Sequence, residues 1–93
     1  MGVSKFSELS KLSELSELPS EKKAVGLNQT KKAVNGGRAK KVYAANDADE
    51  LFLLQIKRMC ENKSVPVDEG ATMSELGLAC NIDVDCAVCA IID

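Results

Sequence analysis

The chain has 93 residues, enough for one modest core and no second domain. Twelve Lys and Arg against fourteen Asp and Glu leave a net charge of −2, which taken whole argues against a strongly electropositive nucleic-acid binder; Phe6, Tyr43 and Phe52 are too few aromatics for a surface that stacks successive bases. Without histidine, the Ser-His-Asp, Cys-His and His-ligated zinc mechanisms are excluded, and neither a cofactor nor an enzymatic activity is expected.

The N-terminus carries a repeat: Ser7-Glu8-Leu9, Ser10-Lys11-Leu12, Ser13-Glu14-Leu15, Ser16-Glu17-Leu18. Leu at a period of three slips about 60° per repeat around a helix of 3.6 residues per turn, so Leu9 and Leu18 end on opposite sides and the stripe packs poorly on one flat core. Residues 1–19 therefore read as an extension whose leucines graze the domain or bind a partner, and residues 20–93 as the domain. Pro19 breaks the repeat and Ser20 caps a short helix ending at Gly26. Asn28, a good N-cap residue, opens a second helix that Asn35-Gly36-Gly37 stop by supplying left-handed conformations.

Residues 41–45, centred on Val42 and Tyr43, predict a strand. Asn46 or Asp47 then caps a helix reaching Asn62, whose apolar residues Leu51, Phe52, Leu54, Ile56, Met59 and Cys60 recur at three- and four-residue spacings. Val65-Pro66-Val67 is a short strand that its proline confines to an edge or a strand start. Thr72 or Ser74 opens a further helix ending near Cys80, with Asn81 able to take the left-handed place of a C-cap glycine. Residues 84–92 close the chain as a β-run, little interrupted after Asp85 and predicted to be buried on both faces. The alternation predicts an α/β fold: a single-domain three-layer α/β/α sandwich with a small mixed sheet, of three strands by this reading or of four if an N-terminal strand goes unrevealed in the sequence.

The longest apolar run, residues 86–92, falls far short of the roughly 20 residues that span a bilayer, and the N-terminus has no apolar signal region, which predicts a cytoplasmic protein with no membrane partner. Cys60, Cys80, Cys86 and Cys89 are accordingly expected to stay reduced, as small buried apolar side chains. Cys86-Ala87-Val88-Cys89 has the form Cys-x-x-Cys, and with the other two offers the four thiols of a structural zinc site. Within a β-run, however, residues three apart point to opposite faces, so the pair is not expected to converge on one metal.

Charge is unevenly spread. Lys22, Lys23, Lys31, Lys32, Arg38, Lys40 and Lys41 follow one another without an acidic residue between them, and ten acidic residues against three basic ones follow Val42. Two readings are open: solvated helix faces, or a phosphate-binding surface at the N-terminus of the helix beginning near Asn28.

Inside this segment stands Gly26-Leu27-Asn28-Gln29-Thr30-Lys31-Lys32. It resembles the Gly-x-Asn-(Glu/Gln)-x-x-Lys signature of the kink-turn RNA-binding ribosomal proteins, the L7Ae family, which includes small bacterial ribosomal-protein-like members. Three further blocks resemble the family in the same order: Lys40-Lys41-Val42-Tyr43-Ala44-Ala45-Asn46-Asp47-Ala48-Asp49, Asn62-Lys63-Ser64-Val65-Pro66-Val67, and Glu75-Leu76-Gly77-Leu78-Ala79-Cys80-Asn81-Ile82-Asp83-Val84. With the Ala/Val/Ile strand that follows the last block, the resemblance covers about residues 20–92 and leaves the repeat outside.

The resemblance implies the same sandwich and an RNA ligand, a sharply bent duplex with a bulge beside sheared G·A pairs. Gly26, lacking a Cβ, would let the backbone approach the RNA; the Asn28 and Gln29 amides would read a purine edge and Lys32 would meet guanine or phosphate, with Leu27 and Lys31 of the same motif also counted as RNA-binding. By the same resemblance Ile82, Asp83 and Val84 would support a flipped nucleotide and Asp49 would sit near the bulge. The expected partner is structured RNA, ribosomal RNA included, with the ribosome itself as an assembly, bound by a monomer with no role for DNA. Glu50 stands where the family usually has proline, and Asp83 and Asp85 add carboxylates to the closing loop. The residues alone also permit Asn28 as a plain N-cap, Gln29 and Lys32 as solvated surface, and Ile82 and Val84 as core. A protein-interaction module on the same fold is the other functional class, and an enzyme the weakest.

Overall fold

The structure, a computed structural model, describes residues 17–92; the rest of the Ser-Glu-Leu repeat lies outside the described residues. Its elements are β1 (Lys23–Val25), α1 (Leu27–Asn35), β2 (Ala39–Ala44), α2 (Glu50–Asn62), β3 (Val67–Asp68), α3 (Met73–Ala79) and β4 (Val88–Ile92). The four strands lie in the order β1-β4-β2-β3; β4 runs antiparallel to both its neighbours and β3 parallel to β2, giving the mixed sheet that was expected.

Alternation along the strands builds the three layers. Tyr43, Cys89 and Ile91 face α3 and pack with Leu76, Ala79 and Cys80, while Val42, Ala44, Val88 and Ala90 face α1 and α2 and pack with Ala33, Val34, Ile56 and Cys60. The central strand β4 is thus buried on both faces, as its apolar run implies. On α2 the buried face is narrower than the apolar spacing suggests. Ile56 and Cys60 are buried with Phe52, Leu53 and Met59 beside them, whereas Leu51 and Leu54 are exposed.

The hidden strand is β1, in the stretch that reads as a helix from Ser20 to Gly26; only Ser20–Lys22 forms a 3-10 turn, closed by Lys22 N donating to Pro19 O at 2.9 Å. Three residues are too few for a period to show, and pairing of Lys23, Ala24 and Val25 with Ile91, Ala90 and Cys89 decides their conformation. The last strand is shorter than residues 84–92. Cys86 N donates to Met73 O and Ala45 N to Ala87 O, which holds residues 84–87 as a loop before β4 and leaves Val84 69% exposed. β2 begins two residues early, at Ala39. β3 sits later than predicted, at the sheet edge, entered through Pro66, whose carbonyl accepts from Val42 N at 2.9 Å.

Two helix caps also move. Gly26, not Asn28, precedes α1, and Asp49 caps α2 by accepting from Phe52 N at 3.4 Å. Asn46 and Asp47 instead bind across the fold: Asn46 Nδ2 donates to Glu69 O at 3.1 Å, and Asp47 Oδ1 accepts from Met73 N at 2.9 Å. Thr72 caps α3 in a reciprocal capping box with Glu75, and Asn81 takes φ 60° as anticipated. Of the two glycines after α1 only Gly37, at φ 73°, is left-handed.

Candidate nucleic-acid interface

Strand direction assembles the site. β1 and β2 run one way and β4 the other, so the end of β1, the end of β2 and the start of β4 meet at one edge of the sheet. Gly26 N donates to Val88 O at 3.0 Å and Ala45 N to Ala87 O at 2.8 Å, joining the three there. From this edge emerge the start of α1, the turn 46–49 and the loop 81–87. Gly26, Leu27, Asn28, Gln29, Asp49, Ile82, Asp83 and Val84, far apart in sequence, therefore share one end of the molecule.

Gly26 has φ 88° and ψ 166°, a region essentially reserved for glycine, and a Cβ there would meet nothing within 4 Å. The glycine is needed for its backbone, and the space above it is open. Asn28 lies in the first turn of α1 rather than capping it, and its side chain is exposed. Gln29 Oε1 accepts from Val25 N at 3.2 Å, folding the amide back over the end of β1. Thr30 is the structural member of the motif: it is fully buried, and its Oγ1 donates to Ala24 O at 3.4 Å, tying α1 to β1.

The lysines part company. Lys32 and Gln29 line a groove of about 220 Å³ with Lys23 and Arg38, whereas Lys31 and Leu27 line a separate groove against Gln55, Ile56 and Met59 of α2. Arg38, which the sequence places in the basic segment but not among the motif residues, reaches the first groove because the turn through Gly37 brings it back beside α1, with Arg38 N donating to Ala33 O at 2.9 Å. A basic residue directly after a left-handed glycine is the signal that would have found it. Not all of the basic segment faces outward. Lys23 is 6% exposed, and Lys41 pairs with Asp68 at 3.7 Å and lies 4.9 Å above the Tyr43 ring.

Asp49 serves as the α2 cap, and Glu50, in the first helical turn, favours the positive end of the helix dipole. Ile82 is half-buried against the α3-side core, while Asp83 and Val84 are exposed. The loop is pressed onto α3 at Gly77, where an added Cβ would lie 2.4 Å from Val84 O.

Behind this edge the cysteines depart from expectation. Cys80, Cys86 and Cys89 are buried, and their Sγ atoms all lie within 4.8 Å of one another. The opposite-face argument fails because Cys86 precedes β4 and escapes the strand period. Its Sγ lies 3.1 Å from Val88 O, and hydrogen bonds from the Cys80 and then the Cys89 thiol outweigh the cost of burial and lower the Cys86 pKa, so this sulfur ionises first. Cys80 is correspondingly raised by its hydrogen bond to Cys86, and Cys89 by those to Cys80 and Cys86. Cys60, on the other face, is raised by burial alone.

The model of the ribosomal protein L7Ae/L30e/S12e/Gadd45 family matches residues 11–93. The chain belongs to this family. The match reaches back into the Ser-Glu-Leu repeat, further than the motif blocks do. Among its relatives, an RNA-binding protein of Caldanaerobacter subterraneus is 44% identical over 69 residues, covering 74% of this chain and 84% of that one. An NHP2-like protein 1 homolog of Dictyostelium discoideum is 39% identical over 67 residues, covering 71% of this chain and 52% of its own length. The solved structure of a Giardia lamblia 15.5kD RNA binding protein superposes with a TM-score of 0.78 at 31% identity, covering 96% of this chain and 73% of that one. The four family-like blocks thus belong to a sheet and helices of the family's own architecture.

Proposed function

We propose that this protein binds structured RNA, recognising and stabilising a kink-turn, as a cytoplasmic monomer associated with the ribosome or with another structured RNA and without catalytic activity of its own. The observation that carries the reading is the meeting of Gly26-Leu27-Asn28-Gln29, Asp49 and Ile82-Asp83-Val84 at one end of the sheet. Relatives described as RNA-binding proteins support it.

The open space over Gly26 admits a phosphodiester backbone, and Asn28 presents a donor and an acceptor to a purine edge. Lys32 and Arg38 supply cations on one flank and Lys31 on the other, while Val84 offers an aliphatic surface to an unstacked base. Asp49 positions α2 against this surface and Asp83 marks the loop's outer edge.

Titration of a kink-turn duplex, beside the same duplex with its G·A pairs replaced by Watson–Crick pairs, tests the reading. Tight, salt-sensitive binding to the first and weak binding to the second are expected. Asn28→Ala with Lys32→Ala should cost at least about 1–3 kcal/mol of affinity, roughly 5- to 150-fold, with circular dichroism unchanged. Equal affinity for the two duplexes would overturn kink-turn recognition, and an unchanged titration of the double variant would displace these residues from the interface.

A further inference from the structure

We propose that Cys80, Cys86 and Cys89 form a binding site for one thiophilic metal ion, with Cu+ held by three sulfurs as the best-fitting occupant. The three ligands come from three different elements: the end of α3, the loop before β4, and β4 itself. Each is fixed independently of any metal. Cys80 N donates to Leu76 O at 2.9 Å, Cys86 N donates to Met73 O at 3.0 Å, and Cys89 is paired with Val25 and Tyr43 across the sheet. The fold has already gathered the donors, so little chain ordering opposes binding.

Geometry and donor chemistry narrow the ion. Metal–sulfur bonds of about 2.3 Å set the sulfurs roughly 3.8–4.0 Å apart, a small contraction from a trio already within 4.8 Å. An all-sulfur set selects soft ions, and no histidine exists in the chain to add nitrogen. Among the described residues no carboxylate joins the cluster. The three cysteines are 6%, 3% and 0% exposed, which leaves no place for a water ligand. Structural zinc sites take four ligands and iron–sulfur clusters take four cysteines, whereas a closed set of three thiolates satisfies Cu+.

The surroundings suit a negative complex. Lys23, buried on the neighbouring strand, contributes a positive potential at Cys80, and the backbone at Val88 and Gly26 favours charge on Cys86. Each coordinating thiol releases its proton on binding, so affinity rises with pH. Cys60 shares the burial but packs in the other core cluster, and provides an internal control. The site stands whether or not the chain binds RNA.

The test uses the full chain, reduced, metal-free and anaerobic, mixed with Cu+ as its coloured bicinchoninate complex, beside a parallel zinc titration against a chromophoric zinc chelator. Withdrawal of one equivalent of Cu+, with a sulfur-to-copper charge-transfer band and zinc bound at least 10-fold more weakly, is expected. Cys86→Ala and Cys89→Ala should each weaken withdrawal at least 100-fold, while Cys60→Ala retains it. Circular dichroism identifies any variant that fails to fold, and Cys80→Ala, at the more accessible helix end, provides an independent third deletion. No withdrawal by the parent protein, or withdrawal undiminished in the folded variants, overturns the site; tighter zinc than copper overturns the three-coordinate assignment.

Discussion

A methyl group at position 77 would collide with backbone: the added Cβ falls 2.4 Å from Val84 O and 3.3 Å from its carbonyl carbon. Backbone cannot swing aside as a flexible side chain does. Gly77→Ala should therefore push the 81–87 loop off α3 and lower stability by about 1–3 kcal/mol, read as a lower urea midpoint at constant slope; an unchanged midpoint would mean that the loop gives way freely. Gly26 is constrained differently, by φ 88° rather than by a neighbour. Both glycines belong to family-like blocks in the sequence, but neither cause is written there. The left-handed Asn81 was legible because the residue carries its own tolerance of that conformation, whereas the clash at Gly77 depends on a loop that returns over α3.

At the level of elements, local signals succeeded where they were strong and unopposed. Thr72 and Glu75 satisfy each other's backbone donors, Glu75 N to Thr72 Oγ1 at 3.2 Å and Thr72 N to Glu75 Oε1 at 2.8 Å. Thr72→Ala should lower stability by about 1 kcal/mol, and more than Ser74→Ala, since only the former caps α3; thermal or urea unfolding of the two variants side by side checks this. Before α2, by contrast, Asn46, Asp47 and Asp49 are all competent caps. Tertiary bonds from Asn46 to Glu69 O and from Met73 N to Asp47 leave the helix to Asp49. The salt bridge from Lys57 to Glu69 at 3.0 Å joins α2 to the same connection. Of the N-terminal extension proposed for residues 1–19, the described end lies close to the domain: Leu18 packs on the α3-side core with Val25 and Ile82.

For the whole molecule, a net charge of −2 does not describe what an approaching polyanion meets. Lys22, Lys31, Lys32, Arg38 and Lys40 are exposed, all from one stretch of chain, while Lys23 and Lys41 are drawn into the fold. RNA affinity should therefore fall steeply with salt despite the acidic average. Lys32→Ala should flatten the plot of log affinity against log salt by about 0.7–1, and Lys57→Ala, whose ammonium is engaged by Glu69, should leave the slope alone. Equal slopes for the two variants would place the phosphates elsewhere.

By itself the sequence determined the order of helices and strands from α1 onward, the two-faced burial of the last strand, the glycine turn that ends α1 and the four blocks that mark the family. These are carried by neighbours in the chain, through hydrophobic period, cap chemistry and backbone preference. Tertiary structure alone decided that residues 23–25 are a strand, that Lys31 and Lys32 flank different grooves, and that three thiols converge behind the candidate RNA surface. The reason is the sheet order: β4 inserts between β1 and β2, setting Lys23 opposite Ile91 and bringing the start of α1 onto the loop that carries Cys86. No local signal spans that separation.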